Sequence, residues 1–399
     1  ITYEEATTDN FVAPVFNEDE DQTRWFYFQS NGKKVKADET KNDTQKGKTI
    51  NGKKYEFDQK GVMTAEWSLD VDKITSSAAN DPATRGNAAE NSTYAKYAHQ
   101  WRYFNSVEDG ARVSKGWFKV VPAEYLNEDK YNDDEDFWYY ADGSGNLYAG
   151  EFKTIKGKKY AFRDDGRMLN GLKFIKEDEA NQSLSVYADD HDTYNFDNED
   201  DFLDHAAEFY EPNGYKCFYF GDGDDGAMRT NKTNVEIDGE NHNFYFEKSG
   251  GHKGAGKTGE KDKKYYQSGM LLKAGSDEKY QVVKTLDAAN DTNDSNEAIS
   301  GYMKLDDVKA FLDEVGVTST TNPSSVTLSS YGISKKADDI DELYIIPSTD
   351  QDGQNVAGKY FLVNTSGKVV DNKSRNRDGN DYYYCVNASG NIVAIYTEK

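Results

Sequence analysis

Three kinds of side chain in this sequence could do chemistry: aromatic rings, clustered carboxylates and five histidines. The histidines, His99, His191, His205, His242 and His252, show no His-Glu-x-x-His spacing and pair with no candidate nucleophile in a catalytic motif. Carboxylate pairs of the kind that hydrolyse glycosides occur freely among 72 acidic residues, so their presence selects nothing. The expectation is a protein that is not an enzyme. The turn Asp222-Gly223-Asp224-Asp225-Gly226 gathers Asp222, Asp224 and Asp225, but the EF-hand ligand order and its distal Glu are missing. No cofactor is expected, with calcium at those three residues as the open alternative. The rings remain. A sugar stacks its C–H face on a flat Trp or Tyr while nearby Asp, Asn or Lys orient its hydroxyls, and the same ring faces attract cations.

The rings recur in order. An aromatic cluster, a short polar gap ending in Gly, and an aliphatic residue or Met two positions later appear as Tyr55-Glu56-Phe57 to Gly61 to Met63 and as Tyr160-Ala161-Phe162 to Gly166 to Met168. The pattern returns at Phe244-Tyr245-Phe246 to Gly250, at Phe361-Leu362-Val363 to Gly367 to Val369, and at Tyr383-Tyr384 to Gly390 to Ile392. Such recurrence marks an array of small units, each reading as a β-hairpin with an aromatic first strand and a short second strand. Turns are expected at Asn31-Gly32, Asp109-Gly110, Asp165-Gly166, Asp225-Gly226, Ser249-Gly250, Ser268-Gly269, Ser366-Gly367 and Ser389-Gly390. A second Gly often opens the unit, as at Gly52, Gly157 and Gly358. Lys-Lys pairs at 33, 53, 158 and 263 fall at strand starts or turns, where they protect edges.

The array is interrupted. Residues 70–96 are rich in Ser, Ala, Asn and Thr, while 126–136 and 177–200 are dominated by Asp, Glu and Asn, which is loop chemistry. Leu305, Val308, Leu312 and Val315 share one helical face, with Gly316 as the stop, and Phe202, Leu203, Ala206, Ala207 and Tyr210 form a weaker pattern of the same kind.

Only 36% of the 399 residues are hydrophobic and mean hydropathy is −0.93, which a quasi-linear array tolerates better than a single core does. A formal charge of −24 argues against nucleic acid or an anionic membrane held by charge alone. No apolar run is long enough to span a bilayer, so no membrane insertion is expected. Cys217 and Cys385 each lie beside an aromatic strand and read as buried free thiols, with a disulfide between them as the alternative. Because the chain opens at Ile1, a signal peptide or an upstream domain is expected before it.

These units resemble the choline-binding and glucan-binding repeats, the cell-wall-binding repeats of Gram-positive surface proteins. That unit runs Gly-x-Met-x-Thr-Gly-Trp, a loop, then Trp-Tyr-Tyr-Phe. Gly61-Val62-Met63-Thr64-Ala65-Glu66-Trp67 follows it closely, and Gly166-Arg167-Met168-Leu169-Asn170-Gly171-Leu172 keeps the frame without the Trp. Gly116-Trp117 and Gly150-Glu151-Phe152 match with one residue inserted, and Trp25-Phe26-Tyr27-Phe28 and Phe137-Trp138-Tyr139-Tyr140 look like the aromatic strand.

The resemblance implies an all-β hairpin-repeat solenoid with small helical and loop insertions, binding ligands in aromatic cavities between consecutive hairpins. It divides the chain into an N-terminal array (1–176, with the insertion 70–96), an acidic, partly helical insertion (177–213), a second repeat block (214–275), a divergent insertion with a helix near 305–315 (276–345) and C-terminal hairpins (346–399). It points to Trp67, Trp101, Tyr103, Trp117, Trp138, Tyr140 and Phe152 as cage walls or glycan platforms. The closing ring is replaced at Leu172 and Lys232, so sites are expected before about residue 175. The implied partner is cell-wall polymer or another polysaccharide, and the implied place a secreted, wall-associated protein. A structural or adhesive spacer without small ligand, and an accessory piece of a wall hydrolase or glucan-active enzyme, are the alternatives. The sequence sets no oligomeric state.

Overall fold

The computed structural model describes residues 24–41, 43, 45–69, 98–123, 126–178, 183–187, 195–210, 213–371 and 373–399. The chain divides into two units. The first comprises residues 1–171, 176–186 and 220–228, and the second 172–175, 187–219 and 229–399. The boundary expected at 176 therefore falls inside a strand, and residues 220–228 return to the first unit. The insertion expected at 70–96 lies outside the described residues.

The first unit is a series of two-stranded antiparallel sheets: β1 (Lys46–Ile50) with β2 (Lys53–Phe57), β3 (Glu66–Leu69) with β4 (Trp101–Phe104), β5 (Gly116–Val120) with β6 (Phe137–Ala141), and β7 (Glu151–Ile155) with β8 (Lys158–Phe162). Asn51-Gly52 and Lys156-Gly157 join their hairpins with positive φ at both residues, the twist that two-residue hairpins require. These turns precede the aromatic strand. The Gly positions expected as hairpin turns do turn the chain; in the first unit the strand beyond them shrinks to one bridging residue, as in Phe57 with Met63 and Phe162 with Met168, whereas in the second Ser268-Gly269 and Ser389-Gly390 each join two paired strands.

An Asx residue closes several of these loops. Asp58 accepts from the Val62 backbone, and the Oδ1 of Asp142 accepts from the N–H groups of Ser144 and Asn146. Asn364 and Asn387 repeat this geometry in the second unit. One carboxylate or amide thus closes a five-residue loop, after which the chain makes a single bridge at Asp58, Asp142 and Asn364 but a full strand, Ile392–Glu398, at Asn387. The bridging side chain then interlocks with the next unit. Leu147 lies over Gly166, where an added Cβ would meet its Cδ1 at 3.1 Å, and Met63 lies over Gly110 and Met168 over Gly226 in the same way. The spacing Gly-x-Met therefore carries two demands, a left-handed backbone and room for the preceding unit's side chain.

Beyond β8 the chain enters β9 (Leu172–Glu177), where the division falls, and β10 (Leu184–Val186), whose Leu184 N–H donates to Gly150. In the second unit β9 pairs with β11 (Lys216–Tyr219). A five-stranded sheet follows, from β12 (Asn231–Ile237), β13 (Glu240–Phe246), β14 (Gly259–Lys261), β15 (Lys264–Gln267) and β16 (Met270–Leu271). The segment expected as a divergent insertion supplies β17 (Tyr280–Leu286), β18 (Gly301–Lys304) and β19 (Ile340–Ile345) to sheets completed by β20 (Tyr360–Asn364), β21 (Lys373–Arg377), β22 (Tyr383–Val386) and β23 (Ile392–Glu398).

Helices are few. The segment 126–136, read as loop, contains the short α1 (Glu128–Asn132), started by Asn127, whose side chain accepts from Lys130 N. Helix α2 (Glu199–Phe209) buries Phe202, Leu203, Ala206, Ala207 and Phe209, and its core cluster includes Phe174, Phe244 and Phe361. Helix α3 (Val308–Glu314) is capped by Asp307, which accepts from Ala310 N at 2.7 Å, and Gly316 stops it at φ +70°. Leu305, Val308, Leu312 and Val315 are all buried, as their spacing requires. The protein is an all-β hairpin-repeat protein with small helical insertions. Cys217 and Cys385 are buried free thiols, and burial pushes Cys385 up to about 12.

Candidate functional site

The seven candidate rings fall into two groups in the first unit, plus Phe152. In the first group Trp67 meets Trp101 at 6.2 Å, Tyr103 at 5.2 Å, Phe118 at 5.8 Å and Tyr139 at 5.0 Å between ring centroids. Its indole N–H donates to the Val121 carbonyl at 2.7 Å. Trp67 and Trp101 are only 4% and 1% exposed and share one core with Ala123, Leu126 and Tyr139. Rings so enclosed present no face, which corrects the expectation that these two are ligand walls. Tyr103 is half-buried and stacks on Phe118 at 5.0 Å. Burial, reinforced by Glu66 and Asp136, pushes its hydroxyl up to about 12, so it remains a neutral donor.

The second group is built differently. Trp117 on β5 stands opposite Tyr140 on β6 and is half-buried, as are Trp138 and Tyr140. Trp117 lies 5.0 Å from Tyr140, 6.4 Å from Trp138 and, from the next hairpin, 4.9 Å from Tyr160 and 5.8 Å from Phe162. Tyr148 extends the surface by stacking on Tyr140 at 5.2 Å and 7°. Tyr148 and Tyr160 were not among the candidates, although Tyr160 sits in the next aromatic triplet and was legible there. Strand alternation places Trp138 and Tyr140 on one side and the buried Tyr139 on the other.

Charged groups edge these rings. The Lys119 ammonium lies 3.1 Å from Asp224. Lys119 and the Trp138 indole hold the Asp224 carboxyl below the usual carboxylate range. Two ammonium groups already occupy ring faces: Lys153 Nζ lies 5.0 Å above Tyr148, and Lys159 Nζ 4.2 Å above the half-buried Phe152. For calcium, Asp222, Asp224 and Asp225 do not converge, and among the described residues no three His, Cys, Asp or Glu side chains form a metal-holding group.

Two open clefts accompany the rings. One, of about 490 Å³, lies in the first unit among Lys48, Lys54, Glu56, Arg102, Arg112 and Ser144. The other, of about 400 Å³, lies on the five-stranded sheet of the second unit, with Lys232, Asn234, Asn243, Phe244, Lys264 and Tyr266 on its walls. Neither was anticipated, and the second lies beyond the expected limit near residue 175.

No family model matches the chain, and no curated protein matches it. Among solved structures, choline binding protein F from Streptococcus pneumoniae is similar over 64% of this chain and 56% of its own, at 15% identity and a TM-score of 0.34. The chain thus spans little more than half of that protein's matched structure. The choline binding domain of Spr1274 from Streptococcus pneumoniae matches 31% of this chain and 93% of its own at 22% identity and a TM-score of 0.18. The alternansucrase ASR, in complex with isomaltononaose, matches 63% of this chain and 18% of its own at 15% identity and a TM-score of 0.15. At low identity, then, the chain is similar to choline-binding proteins, the repeat family its sequence motifs resemble.

Proposed function

We propose that this chain is a non-catalytic cell-wall- or carbohydrate-binding module of a secreted or surface-attached bacterial protein, holding glycan on the aromatic surface around Trp117. The supporting observation is that Trp117, Trp138, Tyr140, Tyr148 and Tyr160, contributed by consecutive hairpins, are all half-buried. A saccharide stacks on such faces without needing a closed box, and Lys119 and Asp224 beside Trp138 can orient hydroxyls. A quaternary ammonium fits less well. It needs about three free ring faces, and the chain's own lysines cover Tyr148 and Phe152.

A second reading, a spacer whose rings serve only the fold, draws on the four ring contacts that Trp117 already makes. The variant Trp117→Ala separates the two. Its binding to purified cell walls, isomaltooligosaccharides and choline should be measured beside its melting curve. The expected result is a folded protein whose glycan binding falls about tenfold, the scale of one lost stacking contact of about 1.4 kcal/mol. Unchanged binding in a folded variant, or a wild-type chain that binds none of these, removes the proposal.

A further inference from the structure

The cleft of the first unit contradicts the charge of the chain around it. Against a net charge of −24, four cationic side chains, Lys48, Lys54, Arg102 and Arg112, line one cavity of about 490 Å³. Two carboxylates answer them. Glu56 is committed to Arg102 at 2.9 Å, and the Oδ1 of Asp142 is committed to the backbone N–H groups of Ser144 and Asn146. Glu56 and Asp142 also attract the Arg112 guanidinium through space. Lys54 donates to Thr49 Oγ1 at 2.6 Å, and Arg112 Nε to Ser114 Oγ at 3.4 Å.

Arg112 also differs from its immediate neighbours in the repeat. It bridges Phe104 at the position held by Met63, Leu147 and Met168 in the neighbouring units and by Lys34 in the first. Like them it lies over the next unit's glycine, where a Cβ on Gly145 would meet its Nε at 2.6 Å. Interlocking needs only aliphatic bulk there, which Met supplies without a charge. A half-buried guanidinium set close to that of Arg102 pays desolvation and like-charge repulsion, and both lower its affinity for the proton. An anion in the cleft offsets both by direct attraction.

We propose that this cleft is a binding site for an oxyanion, a phosphodiester or a carboxylate, carried on a sugar- or polyol-sized unit. The volume lies within the range of small-ligand sites and exceeds what a bare ion fills. Arg112 and Lys54 supply the direct charge-assisted bonds, since the forked guanidinium suits both oxyanions. The overall negative charge does not defeat the site, because at physiological salt distant charges are screened beyond about 8 Å. The site is separate from the Trp117 surface and does not depend on its binding glycan.

The test is calorimetric titration of the whole chain with oligo(glycerol phosphate), oligogalacturonate and a neutral isomaltooligosaccharide. The variants are Arg112→Met, Lys54→Gln and Trp117→Ala. Arg112→Met installs the residue that the equivalent positions 63 and 168 already carry, and Lys54 is exposed, so at least one variant reports on a folded protein. At least one anionic oligomer should bind the wild type, with affinity falling about tenfold in Arg112→Met, the worth of one charge-assisted hydrogen bond, and measurably in Lys54→Gln. Binding of the phosphate oligomer alone identifies a phosphodiester site, and of the uronate alone a carboxylate site. Trp117→Ala should lose the neutral oligomer and keep the anionic one, so that failure of the glycan reading stays distinguishable from failure of this one. No binding of either anion, or undiminished binding in folded Arg112→Met and Lys54→Gln, overturns the proposal.

Discussion

Trp67 and Trp117 stand on the same rung of successive hairpins, one opposite Tyr103 and the other opposite Tyr140, yet the first is sealed and the second half open. Their own strands do not explain this, because each is flanked by a Trp and a Tyr of its own hairpin. The next hairpin's connection does. Between β5 and β6 the chain runs from Val121 to Asp136, and on the way the Val121 carbonyl accepts a hydrogen bond from the Trp67 indole N–H while Ala123 and Leu126 join the core around it. Between β7 and β8 the connection is the two-residue turn Lys156-Gly157, and the rings over Trp117 come from strands alone. In this repeat a conserved-looking position becomes core or surface according to the length of the loop one unit later.

The comparison breaks most directly at the two indoles. Trp67→Ala removes an enclosed ring and should cost about 3–5 kcal/mol. Trp117→Ala removes a half-open ring and should cost clearly less. Urea unfolding followed by tryptophan fluorescence reads both, and equal losses would show that Trp117 is as much core as Trp67 and has no face to offer.

A smaller effect concerns what pins the covering loop. Asn127, which starts α1, donates its side-chain N–H to Asp165 Oδ2 at 2.7 Å, and Arg167 Nε reaches the same oxygen at 2.6 Å. Asp165 is 0% exposed. Burial alone would raise its carboxyl, but Arg167, then Asn127, outweigh burial and hold it below the usual value of 3.8. A carboxylate depressed in the folded state adds stability that is fully present above its unfolded value. That stability is lost as pH falls below 3.8 through the lower folded value. Acid should therefore loosen the loop and uncover Trp67 before Trp117 changes. Asp165→Asn should cost about 3 kcal/mol at neutral pH by taking the carboxylate from a buried guanidinium, and should flatten the acid limb of the stability profile. An acid limb identical in the variant would place the pH dependence elsewhere.

How far the sequence carried these conclusions follows from where each signal lies. Periodic signals were readable: the aromatic strands, the turning glycines and the α3 face, where Leu305, Val308, Leu312 and Val315 all point inward. The hairpin pairing was not, because Gly61 and Asn51-Gly52 are equally good turn chemistry. Only the pairing itself shows which of the two joins full strands: five pairs across Asn51-Gly52 against the single bridge of Phe57 with Met63. The fate of Trp67 was not readable either, since an acidic stretch at 126–136 looks solvated until Asn127 and Leu126 are seen packed. Arg112 was legible in principle: it stands two residues after Gly110, as Met63 and Met168 stand two residues after Gly61 and Gly166.

The finest discrimination lies at Lys153. Its ammonium sits 5.0 Å above Tyr148 and 2.7 Å from Glu151 Oε2, where a ligand cation would otherwise settle. The side chain is 38% exposed, so the cation–π contact and the ion pair together contribute no more than about 1 kcal/mol to stability. Lys153→Ala should thus leave the melting temperature nearly unchanged while freeing one ring face and the Glu151 carboxylate. If the chain's own ammonium is what turns quaternary ammonium ligands away, choline affinity should rise by about threefold to fivefold, the equivalent of one exposed cation–π contact. Isomaltooligosaccharide binding at Trp117 should stay within error, because a stacked sugar does not compete for that charge. A choline affinity that fails to rise would mean that the spacing of the rings, not their occupancy by lysine, sets the preference, and the contrast between the closed Trp67 cluster and the open Trp117 surface would then be one of access without chemical selectivity.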